Sequence, residues 1–435
     1  MMRRPSREAG QLRRASLWLL LLGPLFFATY GFATWVTGQR NGVGTLVFEW
    51  EQAMPFWAWT IVPYWSIDLL YGLSLLLPAN RKELKRHAFR LLSAQLIAVS
   101  CFLLWPLRFT FDRPTVDGMF GWMFAVLGEF DEPFNQAPSL HIALLVVLWV
   151  LYRRHSQGAL RWLVHGWFAL IGISVLTTYQ HHFIDVPTGA IAGWFCVWLW
   201  PLEGPAPLSR LRIPKDLQRL KLALLYVVCA AALMLASSHG GVWLWLLWPT
   251  SAALLVALNY SLIGVVGFQK GITGRMSGAG QWLFAPYLVA AWVNSRFWTR
   301  SQPEADEIAD NVWLGRLPTS AQAFRYNAVV DLCAELPFDS MGRSYVSIPV
   351  LDLTVPTAEQ CITAAAAIER LHQHGPLLVC CALGYSRSAM AVAAWLLSTG
   401  RAGSVAKAVA MIQTKRRQVV LRPSHRRVLE LTYGP

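Results

Sequence analysis

The stretch Leu377-Leu-Val-Cys-Cys-Ala-Leu-Gly-Tyr-Ser-Arg-Ser388 decides the fold of the C-terminal part of the chain. Its apolar beginning predicts a buried strand over Leu377–Cys380, and the small and apolar residues that follow predict a helix over Ser388–Leu397. A short loop that contains a glycine joins the two. In that arrangement, consecutive backbone N–H groups and the N-terminus of the helix converge on an anion. The segment therefore predicts an α/β domain with an anion-binding loop.

The side chains of this stretch suit a phosphate monoester. Arg387, six residues after Cys381, can bind two phosphate oxygens with its planar guanidinium group. The positive field of the loop favours the thiolate form of Cys381, which is then the candidate nucleophile. The alternative is that Cys381 is only a buried cysteine and Arg387 only a surface arginine. That interpretation leaves Gly384 and Ser388 without a role. The candidate phosphate-binding loop consists of Ala382, Leu383, Gly384, Tyr385 and Ser386.

The composition of the whole chain indicates a membrane protein. Of its 435 residues, 55% are hydrophobic and 14% are charged, and 22 are tryptophan. This excludes a disordered chain, a coiled coil and a disulfide-rich secreted domain. The net charge of +14 is typical of basic cytoplasmic loops, so we predict a membrane and no nucleic-acid partner. Seven cysteines without framework spacing indicate thiols in a reducing compartment.

Long apolar runs predict a polytopic α-helical membrane domain of about eight spans, since a helix needs about 20 apolar residues to cross the hydrocarbon core. The fourth and sixth runs are short. The predicted spans are Leu17–Thr37, Pro55–Leu77, Phe89–Leu107, Ser139–Tyr152, Trp162–Tyr179, Val186–Pro201, Leu222–Ser237 and Val242–Phe268.

Loop charges predict the orientation of these spans. Lys and Arg cluster in the alternate loops 81–86, 153–161 and 210–221, and the basic N-terminus includes Arg3 and Arg4. The positive-inside rule places the N-terminus and the C-terminal domain in the cytoplasm of what we expect to be a bacterial inner (plasma) membrane protein. We interpret the run Gln281–Trp298, which contains Pro286, as an interfacial helix. A ninth span is the alternative, and it would place everything that follows outside.

Beyond residue 300 the composition changes, and the sequence pattern over Asn311–Pro435 predicts a small α/β domain with a central sheet. We predict a polar linker over Ser301–Asp310. Predicted strands are Val312–Leu314, Ala328–Leu332, Tyr345–Pro349 and Leu377–Cys380, and predicted helices are Ala358–Gln373, Ser388–Leu397 and Ser404–Lys415. The predicted domains are a transmembrane domain over 1–205 with core motifs at 108–185, additional spans and the interfacial helix over 206–300, and the α/β domain over 301–435.

Residues 311–435 resemble a dual-specificity phosphatase of the cysteine-dependent protein tyrosine phosphatase superfamily. The run from Tyr345 to Asp352 is similar to the strand that leads to the family's general acid. The resemblance implies that Asp352 protonates the leaving oxygen, with Asp339 as a weaker rival, and that Ser388 helps to release the thiolate from a phosphocysteine intermediate. The chain departs from the family at Cys380, where the family has a histidine that orders the loop.

Three polar clusters interrupt the apolar sequence: Arg108-Phe-Thr-Phe-Asp-Arg113-Pro114, Ala137-Pro-Ser139-Leu-His141 and Tyr179-Gln-His181-His182-Phe-Ile-Asp185. The predicted topology places all three at external span ends, where they can form one site. His181 and Asp185 are four residues apart, so the carboxylate can orient the imidazole as a nucleophile. His141 can protonate a leaving group, while Arg113 and Ser139 bind phosphate oxygens. The alternative is that these side chains only face headgroup water.

These clusters resemble the motifs of the type 2 phosphatidic acid phosphatase superfamily, most closely its inositol phosphorylceramide synthase group. The resemblance implies that His181 is the nucleophile, His141 the acid and Asp185 the orienting carboxylate. The family's first-motif lysine is missing, with Arg108 as a stand-in for it. Leu140 replaces a glycine, and Val175 replaces the third-motif arginine.

We therefore predict a bifunctional membrane phosphatase. An external His/Asp site would hydrolyse or transfer the phosphate or phospho-headgroup of a lipid, and a Cys-dependent site would dephosphorylate a phospholipid headgroup or a phosphoprotein. Neither site is expected to need a metal or another cofactor. The second hypothesis is a lipid phosphotransferase whose C-terminal domain only binds or senses a phosphorylated ligand. A transporter or scaffold is the third, and it leaves Cys381 and Arg387 unexplained.

Overall fold

The computed structural model describes residues 7–129, 133–214 and 216–434. The basic residues Arg3, Arg4 and Lys215 of the topology prediction lie outside these ranges. The chain forms two compact units, Met1–Ala206 with Met234–Trp248, and Pro207–Leu233 with Pro249–Pro435.

The first unit is helical. Its helices are α1 Gln11–Gly38, α2 Ile61–Ser74, α3 Arg81–Leu104, α4 Gly118–Gly128, α5 Leu140–His155, α6 Gly158–Thr177 and α7 Asp185–Leu199. Two glycines of α7 allow its backbone to approach α5 closely. A Cβ atom would lie 2.5 Å from Ser139 O if added to Gly189, and 2.7 Å from Ala143 O if added to Gly193. Small residues thus bring the N-termini of α5 and α7 together.

The second unit begins with helical segments. These are α8 Leu217–Ser237, α9 Leu247–Leu258, α10 Gly278–Leu283 and α11 Ala285–Trp298, and the unit boundaries fall inside α8 and α9. The chain continues from α9 through a π-helical turn at Asn259–Ile263 and a 3-10 turn at Gly264–Phe268.

Five helical segments of the described residues are long and apolar enough to cross a membrane: Gln11–Gly38, Arg81–Leu104, Gly158–Thr177, Leu217–Ser237 and Gly241–Phe268. The expected count of about eight spans is therefore not confirmed. Three predicted spans correspond to α2, α5 and α7, which have 14, 16 and 15 residues, fewer than the roughly 20 that a span needs. The predicted interfacial helix is divided at Phe284 into α10 and the 14-residue α11.

A five-stranded sheet follows, in the order β1-β2-β5-β3-β4. Its strands are β1 Asp306–Ala309, β2 Val312–Arg316, β3 Ala328–Cys333, β4 Ser344–Val350 and β5 Leu377–Cys381. β1 is antiparallel to β2, and the other neighbours are parallel. The helices of this part are α12 Ser320–Ala323, α13 Ala358–Leu371, α14 Arg387–Ser398, α15 Val405–Lys415 and α16 Pro423–Tyr433.

The predicted strands and helices of this sheet domain are all present, with ends within two residues of those predicted. The predicted linker was wrong in one part, because β1 lies inside Ser301–Asp310 and pairs with β2. A four-residue edge strand with one buried side chain carries too little apolar pattern to be recognised. α16 was also missed, and its buried residues are His425 and Leu429.

Candidate active sites

The sulfur of Cys381 lies at the end of β5, where the chain turns towards α14. The backbone N–H of Gly384 and the hydroxyl of Ser388 both donate to this sulfur at 3.2 Å. Gly384 has a φ of 74°, and a Cβ atom there would lie 2.3 Å from the carbonyl carbon of Gly315. Only glycine fits this position. The loop therefore directs two donors at the sulfur, as a thiolate nucleophile requires.

Arg387, the first residue of α14, is buried behind this loop. Its two terminal nitrogens donate to the two carboxylate oxygens of Glu335 at 2.9 and 2.7 Å, and one of them also donates to Val350 O at 2.8 Å. Burial by itself lowers the pKa of Arg387, but Glu335 and Asp352 raise it well above its ordinary value. The guanidinium is therefore fixed in its charged form.

Glu335 is a site residue that the sequence prediction missed. Burial by itself raises its pKa, but the ion pair with Arg387 holds the pKa below its ordinary value. The sequence did contain an indication that Glu335 is buried, because this residue comes two positions after the fully buried strand β3. A carboxylate at that position must have a cationic partner to remain buried.

The predicted general acid also contacts Arg387. Asp352 Oδ1 lies 2.8 Å from Arg387 Nη2, and the Asp352 side chain is 30% exposed. Burial raises the pKa of Asp352; Arg387 opposes this shift and Glu335 adds to it. A raised pKa suits a carboxyl group that must donate a proton. The rival Asp339 instead forms an exposed ion pair with Arg275, at 2.8 Å.

Residues from the end of the chain support the second half of the loop. Arg416 is buried and its Nε donates to Gly384 O at 3.2 Å, while Val420 N donates to Tyr385 O at 2.9 Å. The hydroxyl of Ser386 forms a 2.9 Å hydrogen bond with His425 Nε2.

Cys380 and Cys381 lie on opposite faces of β5. Cys381 packs in the core beneath α14, whereas Cys380 packs in a separate core with Tyr326 and Cys333. Burial raises the pKa of the Cys380 thiol well above its ordinary value, and nearby Asp331 adds to this shift. Cys380 is therefore an inert core thiol.

In the helical unit, the second and third polar clusters meet. His181 Nδ1 lies 3.2 Å from Asp185 Oδ2, and His181 Nε2 lies 3.1 Å from the hydroxyl of Ser139. Asp185 is the first residue of α7, and Ser139 caps the N-terminus of α5. The close packing of these two helices thus brings the predicted nucleophile, its carboxylate and the predicted phosphate ligand together.

His141 shares a cavity with His181. The cavity has a volume of about 370 Å³ and is otherwise lined largely by apolar and aromatic side chains, including Phe26, Tyr30 and Tyr64. The His141 ring stacks on Tyr64 with the centroids 4.1 Å apart. Within the described residues, His141 Nε2 is buried without a hydrogen-bond partner. A polar group of a ligand in this cavity would satisfy that nitrogen.

The two predicted arginines differ in their placement. Arg113 donates to Thr178 O at 3.2 Å and to Tyr179 O at 3.3 Å, just before His181 in the chain. Arg108 is exposed, and its backbone N–H donates to Gly44 O. Arg113 is therefore beside the site, whereas no contact among the residues that the structure describes links Arg108 to it.

Glu51 is a second residue that the sequence prediction missed. It is buried, lies 2.9 Å from His182 Nδ1, and accepts the backbone N–H of Phe183 at 3.0 Å. Burial by itself raises the pKa of Glu51, but the hydrogen bonds from His182, Phe48 and Phe183 hold it below its ordinary value. His182 is thus a structural anchor, while the adjacent His181 faces the cavity.

Residues 312–433 match the family model described as the catalytic domain of dual specificity phosphatases. This part of the chain is a dual-specificity phosphatase domain. The match indicates a domain of the Cys-dependent, protein tyrosine phosphatase type. We refer to it below as the phosphatase domain.

Solved structures that resemble the chain include three that each cover 30% of it. Tk-PTP in its active form is 27% identical, with 30% of this chain and 97% of that chain covered and a TM-score of 0.28. PTPMT1 in complex with PI(5)P is 25% identical, covering 30% and 94%, also with a TM-score of 0.28. Human DUSP28 is 22% identical, covering 30% and 93%, with a TM-score of 0.28. No curated protein matches the chain.

Proposed function

We propose that the protein is a bifunctional membrane phosphatase with two separate phosphoryl-transfer sites. The Cys381 site hydrolyses phosphate monoesters, and the His181 site hydrolyses or transfers the phosphate or phospho-headgroup of a lipid. The observation that carries the proposal is the sulfur of Cys381, which accepts two hydrogen bonds at 3.2 Å and is joined by one loop to the buried Arg387.

At the first site, the Cys381 thiolate attacks phosphorus while the bond to the leaving oxygen breaks. The loop N–H groups and Arg387 bind the phosphate oxygens, and Asp352 donates its proton to the leaving oxygen. Water then attacks the phosphocysteine, Asp352 takes a proton from that water, and the sulfur leaves as a thiolate. Ser388 stabilises this thiolate by donating its hydroxyl hydrogen.

At the second site, His181 Nε2 is the nucleophile, and Asp185 holds the proton on Nδ1. Protonated His141 transfers its proton to the leaving alcohol as the P–O bond breaks, which leaves a phosphohistidine. His141 then accepts a proton from the water or alcohol that takes the phosphoryl group. The short distances among Ser139, His181 and Asp185 support this assignment, as does the resemblance to the type 2 phosphatidic acid phosphatase superfamily.

The substrate class that we infer for the His site is a phosphorylated lipid. Its cavity is lined mainly by apolar and aromatic side chains around the two histidines, which suits an amphipathic molecule. For the Cys381 site we propose a phospholipid headgroup, with a phosphoprotein as the alternative. We favour catalysis over mere sensing in the phosphatase domain, because binding alone requires neither the acid Asp352 nor the hydroxyl of Ser388.

The Cys381 assignment is tested with the purified full-length chain and an aryl phosphate. We expect turnover that vanadate inhibits and that Cys381→Ser abolishes, because a hydroxyl is a far weaker nucleophile than a thiolate. The matched control is Cys229→Ser, since Cys229 is an exposed cysteine outside the phosphatase domain. Full activity in Cys381→Ser would overturn the assignment.

We further propose that the phosphatase domain lies in the cytoplasm and that the His site faces the exterior. Single cysteines at Ser238 and Ser301, both exposed, are placed in a variant without native cysteines. Intact cells are then treated with an impermeant maleimide. We expect labelling at position 238 and none at position 301; labelling at position 301 would contradict the proposed topology.

A further inference from the structure

The upstream segment, residues 259–298, precedes the phosphatase domain and contacts its catalytic loop. The hydroxyl of Ser295, on α11, donates to Ala382 O, and the hydroxyl of Tyr385 donates to Trp298 O at 2.9 Å. Ala382 and Tyr385 lie on either side of Gly384. Both halves of the loop are therefore fixed by residues that precede the domain matched by the family model.

A buried ion pair joins the same segment to the strand beside the nucleophile. Lys270 Nζ lies 2.6 Å from Asp331 Oδ2 and also donates to Cys333 O at 2.7 Å. The side chains of Lys270 and Asp331 are 1% and 0% exposed. Asp331, on β3, is the direct neighbour of Cys380 on β5. An upstream cation is thus part of the core that supports the nucleophile's strand.

A third contact reaches the general acid. The hydroxyl of Tyr260 donates to the backbone carbonyl of Asp352 at 3.0 Å, and Tyr260 is 2% exposed. The next residue, Leu353, has a φ of 57°, a conformation that non-glycine residues adopt only when their surroundings hold them in it. The hydrogen bond from Tyr260 fixes the peptide group between Asp352 and this strained residue.

We propose that Tyr260 is a positioning residue for Asp352, so that the working catalytic unit of the phosphatase begins upstream of residue 312. This inference rests on the proposed function of the Cys381 site. Tyr260 acts by holding the backbone carbonyl of the acid, and so directs the carboxyl group of Asp352 at the leaving oxygen.

This role makes a specific kinetic prediction. A poor leaving group such as phenolate needs the proton from Asp352, whereas dinitrophenolate leaves readily without one. Loss of the Tyr260 hydroxyl should therefore affect the two aryl phosphates unequally. A merely structural role would lower the activity with both substrates by the same factor.

The test uses the full-length chain with phenyl phosphate and dinitrophenyl phosphate. We expect Tyr260→Phe to lower kcat/KM for phenyl phosphate about tenfold, the effect of one hydrogen bond. The ratio kcat/KM is compared because it reports only the steps up to loss of the leaving group, in which Asp352 is the acid. For dinitrophenyl phosphate we expect a change of less than about twofold, because that substrate needs little acid catalysis. In an Asp352→Asn background, Tyr260→Phe should cause no further loss.

The control is Tyr152→Phe, whose hydroxyl also donates to a backbone carbonyl, Leu70 O at 2.9 Å, but in the helical unit, and which should retain wild-type kinetics with both substrates. Tyr226, whose ring stacks on Tyr260 with the centroids 5.7 Å apart, is unsuitable because its hydroxyl is itself hydrogen-bonded to Tyr287.

Two kinds of result overturn the inference alone. One is an equal loss with both substrates, or no loss; the other is an additional loss in the Asp352→Asn background. Wild-type protein without any Cys381-dependent turnover would instead overturn the proposed function, and the inference with it. Because phenylalanine keeps the ring and its stacking, the variant tests the hydroxyl separately from the packing of the cluster.

Discussion

The two candidate sites orient their nucleophiles by different physical means. In the phosphatase site, ion pairs dominate: Arg387 with Glu335 and Asp352 at the start of α14, and the buried pair of Lys270 with Asp331 beside Cys380 on the other face of β5. Around His181, one carboxylate and one hydroxyl hold a single ring between closely packed helices. The phosphatase site therefore depends on pairs of charges that must remain together, whereas the helical site depends on hydrogen bonds and on how closely two helices approach.

The chemistry of the nucleophiles explains this difference. A thiolate and a doubly charged phosphate need a permanent cation, and a buried cation needs buried carboxylates. An imidazole nucleophile is neutral before it attacks, so one carboxylate that fixes its tautomer is sufficient. The comparison predicts that removal of one charged side chain lowers the stability or activity of the second unit, which contains the phosphatase domain, more than that of the helical first unit.

The largest effect on stability is expected for Lys270→Met. It leaves Asp331 as an unpaired buried charge, which should cost about 3–5 kcal/mol of the free energy of unfolding. Urea unfolding of the full-length chain, followed by the reactivity of the buried thiols Cys333 and Cys361, measures this. Lys407→Met is the control, because Lys407 is exposed on α15. Adding Asp331→Leu should restore much of the loss; an unaltered urea midpoint in Lys270→Met would contradict the role of the ion pair.

The largest effect on activity after loss of the nucleophile is expected for Arg387→Lys. An ammonium group cannot hold two phosphate oxygens and both carboxylate oxygens of Glu335 at once, so kcat/KM for an aryl phosphate should fall about 10²-fold or more. The control is Arg325→Lys, an exposed arginine paired with Glu304 at 2.6 Å, which should change little. Comparable losses of kcat/KM in Arg387→Lys and Arg325→Lys would show that the buried guanidinium group of Arg387 has no special role.

A similar loss, but one that depends on pH, is expected for Asp352→Asn. The acid must be protonated to donate, and its pKa is raised, so wild-type kcat should stay high above the ordinary Asp range and then fall as pH rises through that pKa. Asparagine should lower kcat about 10²-fold and remove this alkaline decline. The pH profile with phenyl phosphate measures both, and an alkaline decline that persists in Asp352→Asn would assign the acid to another group.

The smallest effect is expected in the helical unit, for Glu51→Gln. The amide weakens the bond to His182 without leaving a buried unpaired charge, at a cost of about 1–3 kcal/mol. The pKa of Glu51 is lowered, so its contribution to stability is present above the ordinary Glu pKa and is lost as pH falls through the lowered one. Thermal unfolding in detergent should therefore show that the difference between wild type and Glu51→Gln shrinks in acid. Exposed Glu49 provides the control; an equal effect of Glu49→Gln would argue against a specific role.

The sequence could bring the parts of the candidate Cys381 site together because those parts are local. Cys381, Gly384, Arg387 and Ser388 lie within eight consecutive positions, and one strand-loop-helix unit positions all four. The strands of the phosphatase domain were predictable for the same reason, since their apolar runs are short and clearly bounded. The four-residue β1 was not, because pairing with β2 rather than its own pattern makes it a strand.

The residues that the sequence did not predict are partners from distant parts of the chain. Glu335 lies 52 residues from Arg387, Lys270 lies 61 residues from Asp331, and Glu51 lies 131 residues from His182. Burial of one charged or polar group dictates that a partner exists, but only the tertiary fold determines which residue it is. The predicted domain boundary at residue 301 has the same weakness, because it would separate Lys270 from its ion-pair partner Asp331.

The independence of the two sites is tested most directly by measuring both activities in two variants, each of which lacks one nucleophile. Phosphate release from an aryl phosphate and from a long-chain phosphatidate is measured with wild type, Cys381→Ser and His181→Ala, with exposed His239→Ala as the control. The account predicts that Cys381→Ser loses only aryl phosphate hydrolysis, and that His181→Ala loses only lipid phosphate hydrolysis or transfer. If folded His181→Ala lost both activities, or neither, the two-site account would be wrong.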